Sequence, residues 1–525
     1  MLKISKDKFI TKSDGFYYGD KYIADFYVRV IKKIKYKTIT GDLIRKEYIL
    51  KAVFPDGSET SEITVSNIEN VKYSDYWDRC IDKKYSSEQK KYLVIYMQEQ
   101  LVDIPWETTV EIKHTGWQRK GVYAFCQDEV ISSDSSATYV TKGELPVYNI
   151  GNEIDEEKMK GYIIRLLRFY PTVTDVLFLF RCLSILKPIF SIYRGIKLDM
   201  VCSLTGKSGS LKTSLSEIML NDEKAEIKLM SAKVKDIEKA LHYYQGGFVL
   251  FDDYKNVNQS HIKDRMKDIL DLLTRMADQN DTAMVAITSE FLEGDFSFQD
   301  RLIQINVQKG RNEYTEEQIQ ELTFFQQNKE IIDYFWYDFA KRVYLNIEKV
   351  NSIIEEYSDT LNKKTRFRIE RNINALSIAC IVFVEVYRIS KGEIGYNIAE
   401  SLVRLEERQK EHMYKVYLLE YEQDWVTLVY NAFKEKCIDI KSCCYHDKEY
   451  LLIQGKALER GMNRYLQTQC RIKEIIDDFE EKDLLYQDST KDRTVKRKGK
   501  RYYMIDSKKV LDYMKSKHKS TIETV

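Results

Sequence analysis

Between residues 22 and 66 apolar and polar side chains alternate with a period of two, as in Asp25-Phe26-Tyr27-Val28-Arg29-Val30-Ile31 and in Lys46-Glu47-Tyr48-Ile49-Leu50-Lys51-Ala52-Val53-Phe54. Such runs, rich in Tyr, Val and Ile, turn one face to a core and the other to water, and they predict strands. Thr40-Gly41-Asp42 and Pro55-Asp56-Gly57 supply turn chemistry, so hairpins are expected. A helical period follows over residues 73–101, and short strands are expected at 115–118 and 121–125. Residues 1–150 read as one β-rich domain.

The period changes at Asp155. Ile163, Ile164, Leu166 and Leu167 mark the core face of a helix. Short apolar runs then recur at 200–204, 248–251, 284–287 and 302–307, separated by segments of helix length, which is the pattern of a parallel sheet with crossover helices. Residues 326–430 read as nearly continuous helix, and the last hundred residues as helices followed by a charged hairpin. All five prolines (Pro55, Pro105, Pro146, Pro171, Pro188) precede residue 190, so the remainder carries no obligatory helix breaker. The expected fold class is multidomain α/β.

Composition adds little by itself. The 525 residues hold 83 Lys+Arg against 82 Asp+Glu, a formal net charge of +1, with 43% hydrophobic residues. That excludes a chain dominated by disorder. The most apolar stretch, 173–193, contains Asp175, Arg181 and Lys187 and is not expected to span a membrane. The N-terminus lacks a signal-peptide core and the nine cysteines show no framework spacing, so a cytoplasmic protein with reduced thiols is expected. Cys437, Cys443, Cys444 and His446 cluster, but without a CxxC pair or a second ligand pair, and plain thiols are the favoured reading over zinc.

The chemistry concentrates after the first run of the parallel sheet, in Gly206-Lys207-Ser208-Gly209-Ser210-Leu211-Lys212-Thr213-Ser214. A phosphate-binding loop needs small residues so that backbone N–H groups can surround phosphates, a Lys to reach the terminal phosphates, and a hydroxyl for Mg²⁺. Gly206, Gly209, Lys212 and Thr213 stand at those places. Leu211 departs from the pattern, because the position before the lysine is ordinarily glycine. Forty residues on, Phe248-Val249-Leu250-Phe251-Asp252-Asp253 reads as a buried strand ending in two carboxylates. Asp252 is expected to hold Mg²⁺ through water, and Asp253 to orient or deprotonate the attacking water. The 284–287 run ends in Thr288, a polar tip able to position that water. Arg301 stands just before the last core run, and Arg368 and Arg371 open a helix.

Taken with His114-Thr115-Gly116-Trp117 in the β-rich region, this order of parts resembles the AAA+ replicative helicases of bacterial mobile elements. These are the MCM-like helicases of phages, plasmids, staphylococcal cassettes and pathogenicity islands; the paired aspartates also resemble superfamily 3 viral helicases. The resemblance implies an AAA+ ATPase core at 151–325, a helical lid at 326–430, a C-terminal winged helix at 431–525, and a homo-oligomeric ring, hexameric in form, that uses ATP and Mg²⁺. It implies that Arg301 reaches the γ-phosphate in the neighbouring subunit and that Arg371 or Arg368 contacts the nucleotide from the lid. The implied partners are single-stranded DNA and origin duplex.

Residues 491–501 hold seven basic side chains and one acid, a local charge of +6. Arg493, Lys496, Arg497, Lys498, Lys500 and Arg501 are therefore candidates for phosphate contacts on DNA. A smaller strip, Arg29, Lys32, Lys33, Lys35 and Lys37, suits single-stranded DNA or another subunit. Competing readings are an AAA+ initiator or loader that uses ATP as a switch, an NTPase of an antiviral system, and a scaffold whose nucleotide site is dead at Leu211.

Overall fold

The period-two runs and the helical stretches become separate layers in the computed structural model, which describes residues 8–69, 85–118, 121–126, 129–133, 137–141, 153–220, 223–229, 231–254, 260–279, 281–290, 292, 294–310, 313–362, 368–389, 391–438, 444–447, 450–466, 470–486, 492–497 and 499–522. The chain divides into two units, Met1–Val147 and Tyr148–Val525.

In the first unit β1 (Phe9–Lys12), β2 (Gly15–Tyr18) and β3 (Lys21–Ala24) form a meander. The long hairpin β4 (Tyr27–Lys37) and β5 (Leu43–Val53) is the predicted pair, turned at Gly41 with φ +97°. With β6 (Ile63–Val65), β7 (Trp106–Ile112) and β11 (Thr138–Thr141) it makes a sheet in the order β11-β7-β4-β5-β6. A third sheet joins β8 (Gly116–Gln118), β9 (Val122–Ala124) and β10 (Val130–Ser132). Helix α1 (Ser87–Asp103) starts at a Ser86/Gln89 capping box and packs Leu93, Val94 and Met97 onto Val28, Val30, Leu50 and Ala52. The first part of the expected 73–101 helix lies outside the described residues.

The second unit opens with α2 (Glu156–Phe169), capped by Asp155. Ile164, expected in its core face, is only half-buried; the buried stripe is Met159, Tyr162, Ile163, Leu166 and Leu167. Next comes α3 (Thr174–Arg194), long and apolar enough to cross a membrane by length and composition, yet with 78% of its apolar window buried inside the protein. Its charges are satisfied internally: Arg181 donates to the Gly246 carbonyl and Ser184 Oγ at 2.7 Å, and Lys187 to the Thr282 carbonyl and hydroxyl at 3.2 Å. Burial brings the Lys187 ammonium down to about 8.

The sheet of this unit is built of β12 (Val201–Thr205), β13 (Glu226–Lys228), β14 (Phe248–Tyr254), β15 (Met284–Ser289) and β16 (Leu302–Asn306) in the order β13-β14-β15-β12-β16, every neighbouring pair parallel. The crossovers include α4 (Lys212–Glu217), α5 (Val234–Tyr243) and α6 (Ser260–Ala277). The short edge strand β13 had no counterpart among the apolar runs, since only three residues pair there.

Helices α7 (Glu316–Gln327), α8 (Lys329–Leu345), α9 (Ile347–Glu356), α10 (Ile369–Tyr387) and α11 (Lys391–Tyr417) follow, as the proline-free stretch implied. The remainder holds α12 (Trp425–Lys434), α13 (Gly455–Leu466), α14 (Ile472–Glu481) and α15 (Ser507–Ile522) against an antiparallel sheet of β17 (Cys444–Asp447), β18 (Tyr450–Ile453), β19 (Thr494–Arg497) and β20 (Lys500–Asp506), in the order β17-β18-β20-β19. Asp424 anchors this region: it caps α12 through Thr427 and pairs with Lys517 at 2.6 Å.

His412 on α11 is half-buried against Gln299, which in turn donates to the Leu292 carbonyl. Burial, with Lys415 nearby, holds the imidazole down to about 4. The unfolded chain therefore binds this proton more readily, and the stability contributed by neutral His412 is lost as pH falls from about 6.5 to about 4. We expect the urea midpoint of His412→Gln to fall less steeply over that window than that of the native chain; parallel curves would refute this.

Candidate functional site

The loop 206–211 leaves the fully buried strand β12 at the C-terminal edge of the parallel sheet. Gly206 has no room for a side chain, because a Cβ there would lie 2.4 Å from the Val307 carbonyl oxygen. Gly209 adopts φ +75°. Leu211 adopts φ +63°, ψ +20°, the left-handed conformation that glycine takes without penalty. A Cβ in that region costs roughly 1–2 kcal/mol. The loop shape that glycine would give is thus retained, with strain stored at its last turn.

Lys212 folds back into the loop and donates to the carbonyls of Gly206 and Lys207 at 2.8 and 2.9 Å and to Ser210 Oγ at 3.1 Å. Burial draws its ammonium below the usual value, opposed by Glu290, Asp252 and Asp253. Lys207, Ser208 and Gly209 are exposed residues at the mouth of the loop, and Ser214 lies half-buried in the first turn of α4.

Strand β15 lies between the loop strand β12 and the acid-bearing β14, which puts its tip between the two halves of the motif. Asp252 Oδ1 accepts from Thr213 Oγ1 at 2.7 Å and from Thr288 Oγ1 at 2.6 Å. Thr288 Oγ1 in turn accepts from the Asp253 amide at 3.0 Å. The register of β14 against β15 slips here, with Phe251 opposite Ile287 but Tyr254 opposite Ser289. This bulge places Asp253 at φ +61°, exposed, while Asp252 stays buried. Ser289, the other hydroxyl at the tip, is buried without a hydrogen-bond partner among the described residues.

Thr213 Oγ1 and Asp252 Oδ1 form a hard-oxygen set of the kind Mg²⁺ takes, so these two residues fit the implied cation. Sequence reasoning missed three neighbours of the loop. Tyr314 donates to the Ser210 carbonyl at 3.2 Å, Tyr170 meets its ring edge-on at 6.2 Å, and the Lys309 ammonium lies 5.6 and 5.9 Å from the two ring centres. No periodicity or motif marks them, because they are brought in from α2 and from the segment after β16.

The arginines stand elsewhere. Arg301 is buried just before β16, with its guanidinium on Asp278 at 3.1 Å, on Ser297 at 2.6 Å and 3.7 Å from Asp199. Arg368 and Arg371 both bind Asp199, and the Arg368 amide donates to Asp300 at 2.9 Å. Asp199 precedes β12, whereas the loop 206–211 follows it; at about 3.3 Å per residue the strand separates the two sites by roughly 17 Å. The structure therefore brings Lys212, Thr213, Asp252, Asp253 and Thr288 together and does not bring Arg301 or Arg371 to them. Arg371 is held by Asp199 at the other edge of the sheet.

In the C-terminal hairpin Lys496 and Arg497 pair with Arg501 and Lys500 around Gly499, and all four side chains are exposed. Arg493 is held by Asp477 at 2.7 Å and by Glu480. Lys498 lies outside the described residues, as does Cys443; Cys444 and His446 fall on β17, and Cys437 is half-buried. Among the described residues no His, Cys, Asp and Glu gather as a metal centre.

Loss of the Thr288 hydroxyl would strip a donor from buried Asp252 and an acceptor from the Asp253 amide. We expect Thr288→Val, nearly isosteric, to lower unfolding free energy by about 1–3 kcal/mol in urea titrations. Gly206→Ala should also destabilise, because the atom in its way is backbone. Native stability in either variant would contradict this geometry.

No protein-family model matches the chain, and no curated protein matches it by sequence. Among solved structures, the SCCmec type IV Cch, described as an active helicase, aligns over 97% of this chain and 98% of its own at 12% identity, with a TM-score of 0.53. The apo C-terminal region of NrS-1 aligns over 91% of this chain and 96% of its own at 11% identity, but its TM-score of 0.26 adds nothing to the argument. The first likeness establishes a shared fold.

Proposed function

We propose that this chain is an ATP-dependent DNA helicase of AAA+ type that works as a ring, hexameric in form, in replication of a mobile element. The observation that carries the reading is the Thr213–Asp252–Thr288–Asp253 chain of hydrogen bonds beside the loop. The strand order, with the Thr288 strand between the loop and acid strands, and the fold shared with Cch support it. Leu211 weakens the dead-site reading, since it holds the backbone that glycine would hold.

In this reading Lys212 leaves the loop carbonyls for the terminal phosphates, and loop amides bind the others. Thr213 and Asp252 hold Mg²⁺, which when bound neutralises phosphate charge. Asp253, exposed beside the amide that Thr288 fixes, takes a proton from water; the water oxygen attacks the γ-phosphorus, the bond to the β,γ-bridging oxygen breaks, and ADP and phosphate leave. Arg301 acts on the neighbouring subunit's site, which requires it to exchange Asp278 for phosphate. That arginine and loop occupy opposite edges of one sheet suits contact between subunits, not within one. The C-terminal helices and β19–β20 hairpin form the winged helix, with Arg493, Lys496, Arg497, Lys498, Lys500 and Arg501 on DNA phosphates, and the protein acts in the cytoplasm.

Lys212→Ala should lower DNA-stimulated ATP hydrolysis by about a hundredfold or more. Mixing Lys212→Ala with Arg301→Ala subunits should restore part of the activity, because some interfaces then hold an intact loop and an intact arginine. Normal hydrolysis by Lys212→Ala sinks the nucleotide assignment. Hydrolysis without displacement of a DNA strand would replace the helicase with a switch-type initiator or loader.

A further inference from the structure

Helix α1 covers only part of the sheet beneath it. It packs on Val28, Val30, Leu50 and Ala52, and its last turn ends where Lys33 donates to the Leu101 carbonyl. Beyond that point the same face continues. Lys33 is paired with Tyr48 on one side and Trp106 on the other, and the next row holds Lys46, Lys35 and Thr108. Trp106 and Tyr48 are half-buried, with ring centres 5.7 Å apart. The ammonium groups of Lys35, Lys33 and Lys46 lie 4.7, 5.1 and 5.6 Å from the Trp106 ring.

The two faces of this sheet treat their cations differently. On the opposite face Lys32 meets Glu107, and Arg45 meets Glu47 and Glu111. Among the described residues Lys33, Lys35 and Lys46 are paired with no carboxylate; the tryptophan ring and a helix-end carbonyl are what face them. The bulge between Val30 and Lys32 produces this sorting, by moving Lys33 and Lys35 onto the face of Leu50 and Tyr48. Three like charges gathered over one aromatic ring repel each other, and a polyanion relieves that repulsion.

We infer that this shelf binds single-stranded DNA, with a base stacked on Trp106 beside Tyr48 and the flanking phosphates taken by Lys35 and Lys46, while buried Lys33 stays on the Leu101 carbonyl. An aromatic platform inside a cationic surround is the chemistry that binds unpaired strands with little regard to sequence. Duplex DNA keeps its bases stacked on each other and offers the ring nothing. The shelf lies in the unit 1–147 and uses no residue of the nucleotide site or the C-terminal hairpin, so it stands apart from the hydrolysis reading.

The test is fluorescence anisotropy of the full-length chain without nucleotide, on a labelled oligothymidylate about 20 nucleotides long and on a duplex of equal length. Trp106→Ala should weaken single-strand binding about tenfold, and Trp106→Phe should retain most of it. Lys35→Gln/Lys46→Gln, which touches only half-buried and exposed side chains, should reduce the slope of log affinity against log salt by about 1.4 while leaving duplex binding unchanged. Native single-strand affinity in Trp106→Ala and the double variant overturns the inference, as does an equal loss on duplex. A changed sedimentation coefficient with unchanged DNA affinity would also overturn it and make the shelf a contact between copies.

Discussion

A carboxylate buried at the end of a central strand must be given hydrogen bonds or be neutralised. Asp252 is in that position, and the arrangement of this edge of the sheet follows from how it is satisfied. One of its oxygens is shared by Thr213, at the start of the helix behind the phosphate loop, and Thr288, at the tip of the intervening strand. Three separate elements are thereby pinned to one atom. Thr288 then uses its remaining capacity to hold the Asp253 amide, so the second carboxylate is positioned by the first. A change at any of these side chains leaves a buried polar atom unmatched, which makes the site cooperative.

The other edge of the sheet is organised by a second buried carboxylate. Asp199 gathers Arg301, Arg368 and Arg371, with Asp278 and Asp300 completing the charge balance. Since Arg371 belongs to α10, Arg368 caps its start and Arg301 precedes β16, this knot also ties the helical layer to the sheet. A buried guanidinium paired with Asp278 and Asp199 is held firmly. Any role for Arg301 on another subunit's phosphates must therefore be driven by an exchange of anions, with phosphate replacing Asp278, and not by a side chain already free to move.

Much of this was legible in the residues. Apolar runs marked four of the five parallel strands, because buried strands are continuous in hydrophobicity, and the loop and the two aspartates were recognisable because glycine, lysine, hydroxyl and carboxylate each have a chemical reason to be there. Leu211 looked like a defect and proved to occupy the glycine conformation. Tyr170, Tyr314, Lys309 and Glu290 were not legible, since single aromatic or charged residues between elements carry no period. The basic strip on β4 was legible as charge but not as a surface. One extra residue at the Val30/Lys32 bulge decides which lysines share a face with Trp106 and which meet glutamates.

Local sequence by itself determined most of the elements, the glycine- and serine-rich loop and the identity of the acids, because those depend on backbone preference and on side-chain chemistry within a few residues. Only the tertiary structure decided that Thr288 lies between the loop and Asp252, that Arg301 and Arg371 turn to Asp199 instead of to that loop, and that three lysines surround one tryptophan. Those are outcomes of strand order, register and the need to satisfy buried charge, all of which are settled between residues far apart in the chain.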